Sequence, residues 1–365
     1  MKVGIIGGGI NGLFISWRLS ALGHQVELYE AGKVLQQTSS SSSKLLHGGI
    51  RYLEHGHFGL VRESLLDRSW WLKNAPQHTR PIEICMPVYV NSPRSIFKLF
   101  IGALFYQLLA GSHSLGSTKW RDKEKTLELC PEIKDSGLKG SVSFYDAQMD
   151  EESLGNWVRE KSIIAGTEIF EEERVERFTS LGEITSSRFG RRQYDVIVNA
   201  AGPWAAQLNE NNEISTKFYL RLIRGSHLIL DHQVSGSYLF QEHQDGRVVF
   251  ILPYLGKTLV GTTEVSQLLS ENTICTEEER QYLLNVYNSN FKRHVSNSNI
   301  SSEFSGLRPI VASYLRSKQT YFSVASREAE TEVVDKLITV YGGKWTSAPS
   351  LSEKVVRKLK SKEFL

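Results

Sequence analysis

The first thirty residues constrain the fold most, because they place a glycine-rich turn between a short apolar strand and a helix. Residues 3–6 (VGII) are too few for a helix, and Gly7, Gly9 and Gly12 then give the spacing G-x-G-x-x-G. These glycines allow a tight turn, a close approach of backbone N–H groups to a pyrophosphate, and close packing of the helix on the strand. A second strand ends at Glu30. This order predicts a dinucleotide-binding βαβ unit.

Glu30 narrows the expected nucleotide. A carboxylate at the end of the second strand accepts hydrogen bonds from a ribose 2′-OH and repels a 2′-phosphate, so NADP is disfavoured. The alternative is a glycine-rich turn without a ligand. That alternative does not explain why the strand, the helix and the acid all stand where the motif requires them.

Composition excludes several classes of protein. The chain has 365 residues, enough for two domains, and its net charge of +3 comes without a basic block interleaved with aromatics. We therefore expect no nucleic-acid partner, whereas an anionic substrate fits. Cys85, Cys130 and Cys275 are far apart, which predicts no metal site and suits a reducing compartment. The first strand begins at Lys2, which leaves no room for a signal peptide, so we expect a cytoplasmic protein.

A serine-rich segment follows the βαβ unit. Residues 39–43 are five serines, and they lead directly into the sequence KLLHGGIRY. A serine run is typical of a flexible linker. Hydroxyl residues followed by paired glycines also wrap ligands with backbone N–H groups, and His47, Arg51 and Tyr52 would add a titratable group, an anion clamp and a phenol. The position one element after the dinucleotide turn favours the ligand loop.

Two later segments end a predicted strand in small residues. Residues 195–199 (DVIVN) run into AAGP, and residues 338–341 run into Gly342, Gly343 and Lys344. Small residues at the end of a buried strand permit close backbone approach to a cofactor, although an ordinary strand-to-turn connection has the same pattern. The paired glycines before Lys344 favour a ligand role for this lysine over an exposed position in a turn.

Two helices stand out between these segments. Residues 96–110 are apolar apart from Lys98 and too short to span a bilayer. We interpret them as a buried helix of a second domain, with an interfacial helix that touches lipid or a partner as the alternative. Thr276 and Glu279 have the spacing of a capping box and predict the start of another helix.

Several motifs in the same order make the sequence recognisable. The motifs, with their positions, are HGGIRYLE at 47–54, VNAAGPW at 198–204, RGSH at 224–227, GTTE at 261–264, SGLRP at 305–309 and GGKWT at 342–346. With these motifs the chain resembles the FAD-dependent glycerol-3-phosphate dehydrogenases, a branch of the D-amino-acid-oxidase-like flavoproteins. The family members continue into a C-terminal helical domain, which we expect this chain to lack because it ends at Leu365. The family's TTYR after the lysine is TSAP here.

The resemblance implies an α/β fold: a Rossmann-like FAD-binding domain with an inserted β-rich substrate domain of antiparallel sheet plus helices, as in D-amino-acid oxidase and glutathione reductase. We expect the FAD-binding domain to comprise residues 1–80, 145–210 and 300–365. We expect the substrate-binding domain to comprise residues 81–144 and 211–299.

The loops and the resemblance together imply FAD as the cofactor and no metal. The predicted FAD contacts are Gly7, Gly9, Ile10, Asn11, Gly12, Glu30, Thr38, Ser39, Ser42, Ser43, Lys44, Leu45, His47, Gly48, Gly49, Val175, Ala201, Gly202, Trp204, Gly343, Lys344, Trp345 and Thr346. In the resembling family, a backbone group near Val175 reads the adenine ring.

The resemblance also implies a reaction, oxidation of a secondary alcohol of a small anionic substrate by hydride transfer to the flavin. We favour sn-glycerol-3-phosphate giving dihydroxyacetone phosphate, or a related polyol phosphate. The predicted catalytic residues are Arg308, Lys344, His47 and His227, and the predicted substrate-binding residues are Arg51, Tyr52 and Arg327. Arginines match phosphate or carboxylate groups bidentately, and the imidazoles or the lysine could take the hydroxyl proton.

Other readings of the site stay open at this point. One is an oxidase of an amine or a 2-hydroxy acid in the same superfamily, and another is a non-catalytic relative that retains FAD. The resemblance implies a quinone or oxygen as electron acceptor. It is compatible with a homodimer and with peripheral contact with the cytoplasmic membrane.

Overall fold

The structure is a computed structural model, and it describes residues 1–242, 246–313 and 329–361. The helices are α1 (Ile10–Ala21), α2 (Phe58–Asn74), α3 (Ile96–Ala110), α4 (Lys123–Leu129), α5 (Glu151–Ile164), α6 (Ala205–Asn211), α7 (Glu277–Asn290) and α8 (Ala348–Lys360). The strands are β1 (Lys2–Ile6), β2 (Gln25–Tyr29), β3 (Leu45–Leu46), β4 (Thr79–Tyr89), β5 (Lys119–Arg121), β6 (Leu138–Met149), β7 (Glu168–Phe170), β8 (Val175–Phe178), β9 (Glu183–Ser186), β10 (Gly190–Gln193), β11 (Val196–Asn199), β12 (Phe218–Leu230), β13 (Ser237–Gln241), β14 (Val248–Tyr254), β15 (Lys257–Gly261), β16 (Val265–Ser266), β17 (Ile300–Ser313), β18 (Glu330–Val334) and β19 (Leu337–Tyr341).

A mostly parallel sheet forms the first half of the fold. Its strand order among the described residues is β18-β19-β11-β1-β2-β7, and β1 pairs in parallel with both β2 and β11. Val3 and Ile5 are fully buried against the helices on one face of the sheet, and Ile6 on the other face packs against Phe178 and Ile184 of the three-stranded sheet β10-β9-β8. Strands covered on both faces are apolar on both faces. Helix α1 packs against α5 and α8. The α/β class predicted from the sequence is confirmed.

The glycine turn between β1 and α1 has the geometry that its sequence predicts. Gly7 has φ of +106°, and a Cβ at Gly12 would collide with the carbonyl oxygen of Gly7. Gly9 is the N-cap residue of α1 and supplies no side-chain cap. The amides of this helix N-terminus therefore face the space in front of the sheet, where an anion is favoured.

A larger, mainly antiparallel sheet forms the second half. Its order among the described residues is β16-β12-β15-β14-β13-β4-β6-β3, with β17 paired along β12 and β5 paired with β6. Strand β17 thus lies in this sheet, although the predicted boundaries assigned residues 300–313 to the FAD-binding domain. The reason is the antiparallel pairing of β17 with β12 from Ser313 to Ile300, which satisfies backbone groups of both strands.

Helix α3 has the predicted bounds but a different environment. Ser95 caps it by accepting a hydrogen bond from the Lys98 amide at 3.3 Å. The fold buries Ala103, Tyr106 and Ala110, whereas Leu108 is 72% exposed. The interpretation as a buried helix was therefore wrong, because α3 packs on α2, β5 and β6 through one face and leaves the opposite face exposed. By length and composition alone, the stretch Ile96–His113 is apolar enough to cross a membrane, the one such stretch in the part of the chain that the structure describes.

Helix α7 begins with the predicted capping box. The Thr276 amide donates to the Glu279 carboxylate at 3.1 Å, and the Glu279 amide donates to the Thr276 hydroxyl at 3.4 Å. The other oxygen of Glu279 accepts from Ser226 on β12, and the Arg224 guanidinium pairs with Glu279 at 2.8 Å. Arg224 therefore joins α7 to β12, which fixes the strand that carries His227.

Candidate active site between the two sheets

One cavity of about 560 Å³ lies where the carboxyl ends of β1, β11 and β19 meet the second sheet. The predicted FAD contacts that line it are Gly7, Gly9, Ile10, Asn11, Glu30, Thr38, Ser39, Ser42, Ser43, Leu45, His47, Gly49, Val175, Ala201, Gly202, Trp204, Gly343, Lys344, Trp345 and Thr346. The predicted reaction residues Arg51, Tyr52, His227 and Arg308 line the same cavity. The fold thus brings together segments that lie far apart in the sequence.

Four predicted residues are not among those that line the cavity. Gly12 packs against the turn at Gly7, and the Lys44 side chain is buried in an ion pair with Glu151. Gly48 lies between the lining residues His47 and Gly49, and its amide donates to the Tyr106 hydroxyl behind them. Arg327 lies outside the described residues. Within the ranges that the structure describes, no group of three His, Cys, Asp or Glu side chains could hold a metal ion.

The nucleotide end of the cavity carries the Glu30 carboxylate. The amides of Gly8 and Gly32 donate to its two oxygens at 2.7 and 2.9 Å. These bonds fix the carboxylate beside the cavity, and each oxygen keeps a lone pair for a further donor. The Asn11 side chain lies beside Gly343, and its oxygen is buried without a hydrogen-bond partner in the described part of the chain.

The serine loop is anchored rather than flexible. The Ser39 hydroxyl accepts from the Ile10 amide at 3.0 Å, and the Ser39 carbonyl accepts from the Trp345 indole N–H at 2.9 Å. Ser42 donates to Glu151, which also pairs with Lys44. The linker interpretation is therefore excluded for this loop, which ties the first helix to the C-terminal glycine turn.

The segment after the serine loop brings Gly49, Arg51 and Tyr52 to the cavity. Gly49 has φ of +76° and begins the 3₁₀ turn Ile50–His55, which carries Arg51 and Tyr52. The His47 amide donates to the Thr346 hydroxyl at 3.2 Å. This bond joins the loop to the GGKWT segment.

Lys344 projects from that segment into the cavity. Its ammonium lies 5.0 Å from the centre of the Tyr52 ring. The ammonium is buried and has no hydrogen-bond partner among residues 1–242, 246–313 and 329–361. A buried donor group in this state is costly unless a ligand accepts from it, so the site is built for an acceptor at this point.

Two arginines converge on one acidic side chain at the other end of the cavity. The guanidinium groups of Arg51 and Arg308 each lie 3.7 Å from the same oxygen of Glu264. Arg308 also donates to the carbonyl of Thr263 at 2.7 Å. The sequence noted the GTTE motif but did not single out Glu264, because only the pairing of strands brings this acid between two distant arginines.

His227 lies beneath the serine loop on β12. Its Nε2 is 3.0 Å from the Ser43 hydroxyl, and its ring stacks on Phe304 with centres 4.8 Å apart. Complete burial lowers the pKa of His227 well below its usual value, and the positive charges of Arg308 and Lys44 lower it further. The imidazole is therefore neutral near pH 7.

The comparisons with known proteins agree with this geometry. Residues 2–356 match the DAO family, described as FAD dependent oxidoreductase. This chain belongs to the DAO family. It is 31% identical over 368 residues to the aerobic glycerol-3-phosphate dehydrogenase of Staphylococcus aureus, an alignment that covers 96% of this chain. The chain spans 65% of that relative's length.

Solved structures share the DAO fold at low identity. The glycerol-3-phosphate dehydrogenase from Bacillus halodurans, complexed with FAD, superposes with a TM-score of 0.75 at 24% identity, covering 98% of this chain and 64% of that one. The L-alpha-glycerophosphate oxidase from Mycoplasma pneumoniae, with FAD bound, gives 0.77 at 18%, covering 99% and 95%. The glycine oxidase from Geobacillus kaustophilus gives 0.76 at 18%, with the same coverage. At these identities, the likeness establishes the fold.

The cofactor of this DAO family protein is FAD, and the residues present fit it. The helix N-terminus after Gly9 faces the cavity and suits the pyrophosphate, and Glu30 suits the ribose. The buried, unpartnered groups of Asn11 and Lys344 in the described ranges supply polar atoms that a flavin dinucleotide can satisfy. Gly343 has φ of +96°, and a Cβ there would collide with the Asn11 side-chain nitrogen, so glycine lets this turn approach the N-terminus of α1.

Proposed function

We propose that this chain oxidises the secondary alcohol of a small anionic substrate to a ketone, with sn-glycerol-3-phosphate as the favoured substrate. The observation that carries the proposal is the convergence of Arg51 and Arg308 on one carboxylate oxygen of Glu264, at 3.7 Å each. Two guanidinium groups around one carboxylate leave a net positive charge, which suits the phosphate of a substrate. The name of the Staphylococcus aureus relative, aerobic glycerol-3-phosphate dehydrogenase, supports this choice of substrate.

The residues around Glu264 and Lys344 have separate roles in the proposed reaction. Arg51 and Arg308 bind the phosphate and hold the substrate carbon in place. His227 is the neutral base of this set and takes the hydroxyl proton. Burial is the main cause of its low pKa, and a bound phosphate dianion offsets the further lowering by the Arg308 charge. Bound FAD supplies the acceptor for the hydride that leaves the carbon. Lys344, buried beside Tyr52, orients the oxygen as it becomes a carbonyl.

Anaerobic reduction of the purified holoprotein tests the proposal. We expect sn-glycerol-3-phosphate to bleach the visible absorbance of the flavin, and glycerol, which has no anion, to do so much more slowly. Bleaching by amino acids such as glycine, but not by the phosphate, would instead identify an amine oxidase. Absence of bleaching by either class, with dithionite still effective, would identify a non-catalytic flavoprotein.

The exposed apolar face of α3 supports a proposal about the partner. This face consists of Phe97, Ile101, Phe105 and Leu108, and Phe58 extends it by an edge contact with Phe105 at 5.2 Å. At its border, Lys98 and Arg94 both pair with Glu54, at 3.1 and 2.8 Å, so this group of three side chains keeps one net positive charge. Apolar side chains bordered by a basic group suit the surface of an anionic bilayer. We propose peripheral attachment to the cytoplasmic membrane through this face, with a membrane quinone as electron acceptor.

Replacing Phe97 and Leu108 together by glutamate should release the protein from vesicles. Each large side chain that leaves the bilayer loses about 1.5–3 kcal/mol, so we expect binding to fall by roughly two orders of magnitude or more. Co-sedimentation with vesicles of phosphatidylcholine and phosphatidylglycerol measures it. The control, Leu181→Glu, alters a residue 67% exposed in another part of the fold and should bind normally. Dissociation of a dimer by the double variant, with no vesicle binding by the parent protein, would identify the face as a contact between copies.

A further inference from the structure

The buried face of α3 reaches the active-site loop through one hydroxyl group. The Gly48 amide donates to the Tyr106 hydroxyl oxygen at 2.7 Å, and the Tyr106 hydroxyl donates to Asp146 on β6 at 2.7 Å. Asp146 is held in turn by Arg68 on α2 at 3.0 Å. We propose that Tyr106 is a positioning residue, which sets the orientation of the Gly48 peptide and thereby of the cavity residues on either side of it.

The arrangement allows one direction for each hydrogen bond. Asp146 accepts from Arg68 and from Tyr106, so the Tyr106 hydroxyl uses its one proton in the bond to the carboxylate. A lone pair of the same hydroxyl oxygen accepts from the Gly48 N–H. Burial raises the pKa of Tyr106 well above its usual value, which keeps the hydroxyl protonated. Arg68 is 1% exposed and also donates to the carbonyls of Tyr145 and His113. The network therefore joins α2, α3 and β6 behind a single peptide of the loop.

Gly48 lies between residues that line both parts of the cavity. On one side lies His47, whose amide binds Thr346 and so the segment that carries Lys344. On the other side lies Gly49, which begins the turn with Arg51 and Tyr52. A Cβ at Gly48 would lie 2.5 Å from the Tyr106 oxygen, so the close contact requires glycine here. Rotation of this peptide would therefore displace residues on the flavin side and on the substrate side together.

Removal of the Tyr106 hydroxyl is expected to shift the Gly48 amide towards Asp146. The Gly48 amide already makes a second, long hydrogen bond to Asp146 at 3.4 Å, and this weak bond is what remains when the Tyr106 oxygen is removed. To shorten it to a normal distance the peptide must move, because a buried N–H with only a weak partner is costly. The loop is therefore expected to shift while the core around Tyr106, which keeps its ring, stays packed.

Tyr106→Phe in the holoprotein tests this inference, which rests in part on the proposed function. We expect kcat with sn-glycerol-3-phosphate to fall about tenfold or more with KM changed less, since one misplaced group costs about an order of magnitude. We also expect an altered visible flavin spectrum and faster amide hydrogen exchange in the peptide that contains Gly48. The matched control is Tyr145→Phe, at the residue that precedes Asp146 on β6. It removes a hydroxyl that donates to Glu83 at 3.0 Å, and it should behave as the parent protein.

The outcomes separate this inference from the proposed function. If the parent protein does not oxidise the phosphate, the spectrum and the hydrogen exchange still test Tyr106. A Tyr106→Phe protein with parental kcat, KM, spectrum and exchange, whatever its melting temperature, would reduce Tyr106 to a packing residue and overturn the inference.

Discussion

Replacing Arg308 by alanine should lower kcat/KM for sn-glycerol-3-phosphate by about three orders of magnitude while FAD remains bound. Each charge-assisted hydrogen bond to a phosphate contributes about 1.5–3 kcal/mol, and a bidentate guanidinium makes two. The loss also leaves the Glu264 carboxylate with one fewer positive neighbour at 3.7 Å, which adds repulsion against an anion. Steady-state kinetics on the flavin-loaded variant measures the effect.

The specificity of the effect distinguishes anion binding from general damage. The rate of glycerol oxidation, although slow, should change little in Arg308→Ala, since glycerol has no phosphate that Arg308 could bind. Arg293→Ala removes the same charge at an exposed site, where the side chain is 53% exposed and pairs with Asp231 at 3.5 Å. That control should retain the parental kcat/KM. An equal loss of activity on phosphate and on glycerol would show that Arg308 supports the fold rather than the substrate.

The parts of the site that could be predicted are those that local sequence determines. The glycine spacing requires a tight turn at the end of β1, and the small residues at the ends of β11 and β19 allow the same close approach. In a parallel sheet the carboxyl ends of neighbouring strands lie side by side, so these turns meet at one edge. Their common cavity follows from rules that hold for any chain of this pattern.

The residues that could not be predicted depend on long-range pairing. Glu264 lies next to Arg308 because both β16, which follows this acid, and β17 pair with β12, and no local pattern encodes those registers. Tyr106 has the sequence environment of an ordinary apolar helix residue. Only the tertiary structure shows that its hydroxyl faces Gly48, 58 residues earlier in the chain.

Helix α3 illustrates a related limit of sequence patterns. Its residues are apolar on every side, so the spacing does not identify which face the protein covers. The fold covers the face with Ala103 and Tyr106 because these residues meet α2 and β6 closely. The larger side chains remain outside, which is how a helix interpreted as core becomes a candidate surface for a membrane.

Replacing Glu151 by glutamine should destabilise the protein by about 3–5 kcal/mol, because it removes one partner of a buried ion pair. Lys44 and Glu151 are 7% and 5% exposed in their side chains, and the Lys44 ammonium also donates to the Ser40 carbonyl at 3.0 Å. The variant leaves that ammonium without a counter-charge beneath the serine loop. Since Ser42 also binds Glu151, we expect FAD affinity to fall as well. Thermal unfolding of the apoprotein and the holoprotein, with FAD titration, measures both effects.

Two further variants separate the charge from the packing. Glu353→Gln removes an acid whose pair with Arg18 is about 40% exposed on both sides, and such a pair contributes roughly 1 kcal/mol or less. The double variant Lys44→Met/Glu151→Leu removes both charges and should be more stable than Glu151→Gln, because apolar groups of similar volume leave nothing uncompensated. If Glu151→Gln melts like Glu353→Gln, the pair does not hold the loop. If the double variant regains stability but not FAD affinity, Glu151 acts through its hydrogen bonds to Ser42, and the loop geometry rather than the buried charge governs cofactor binding.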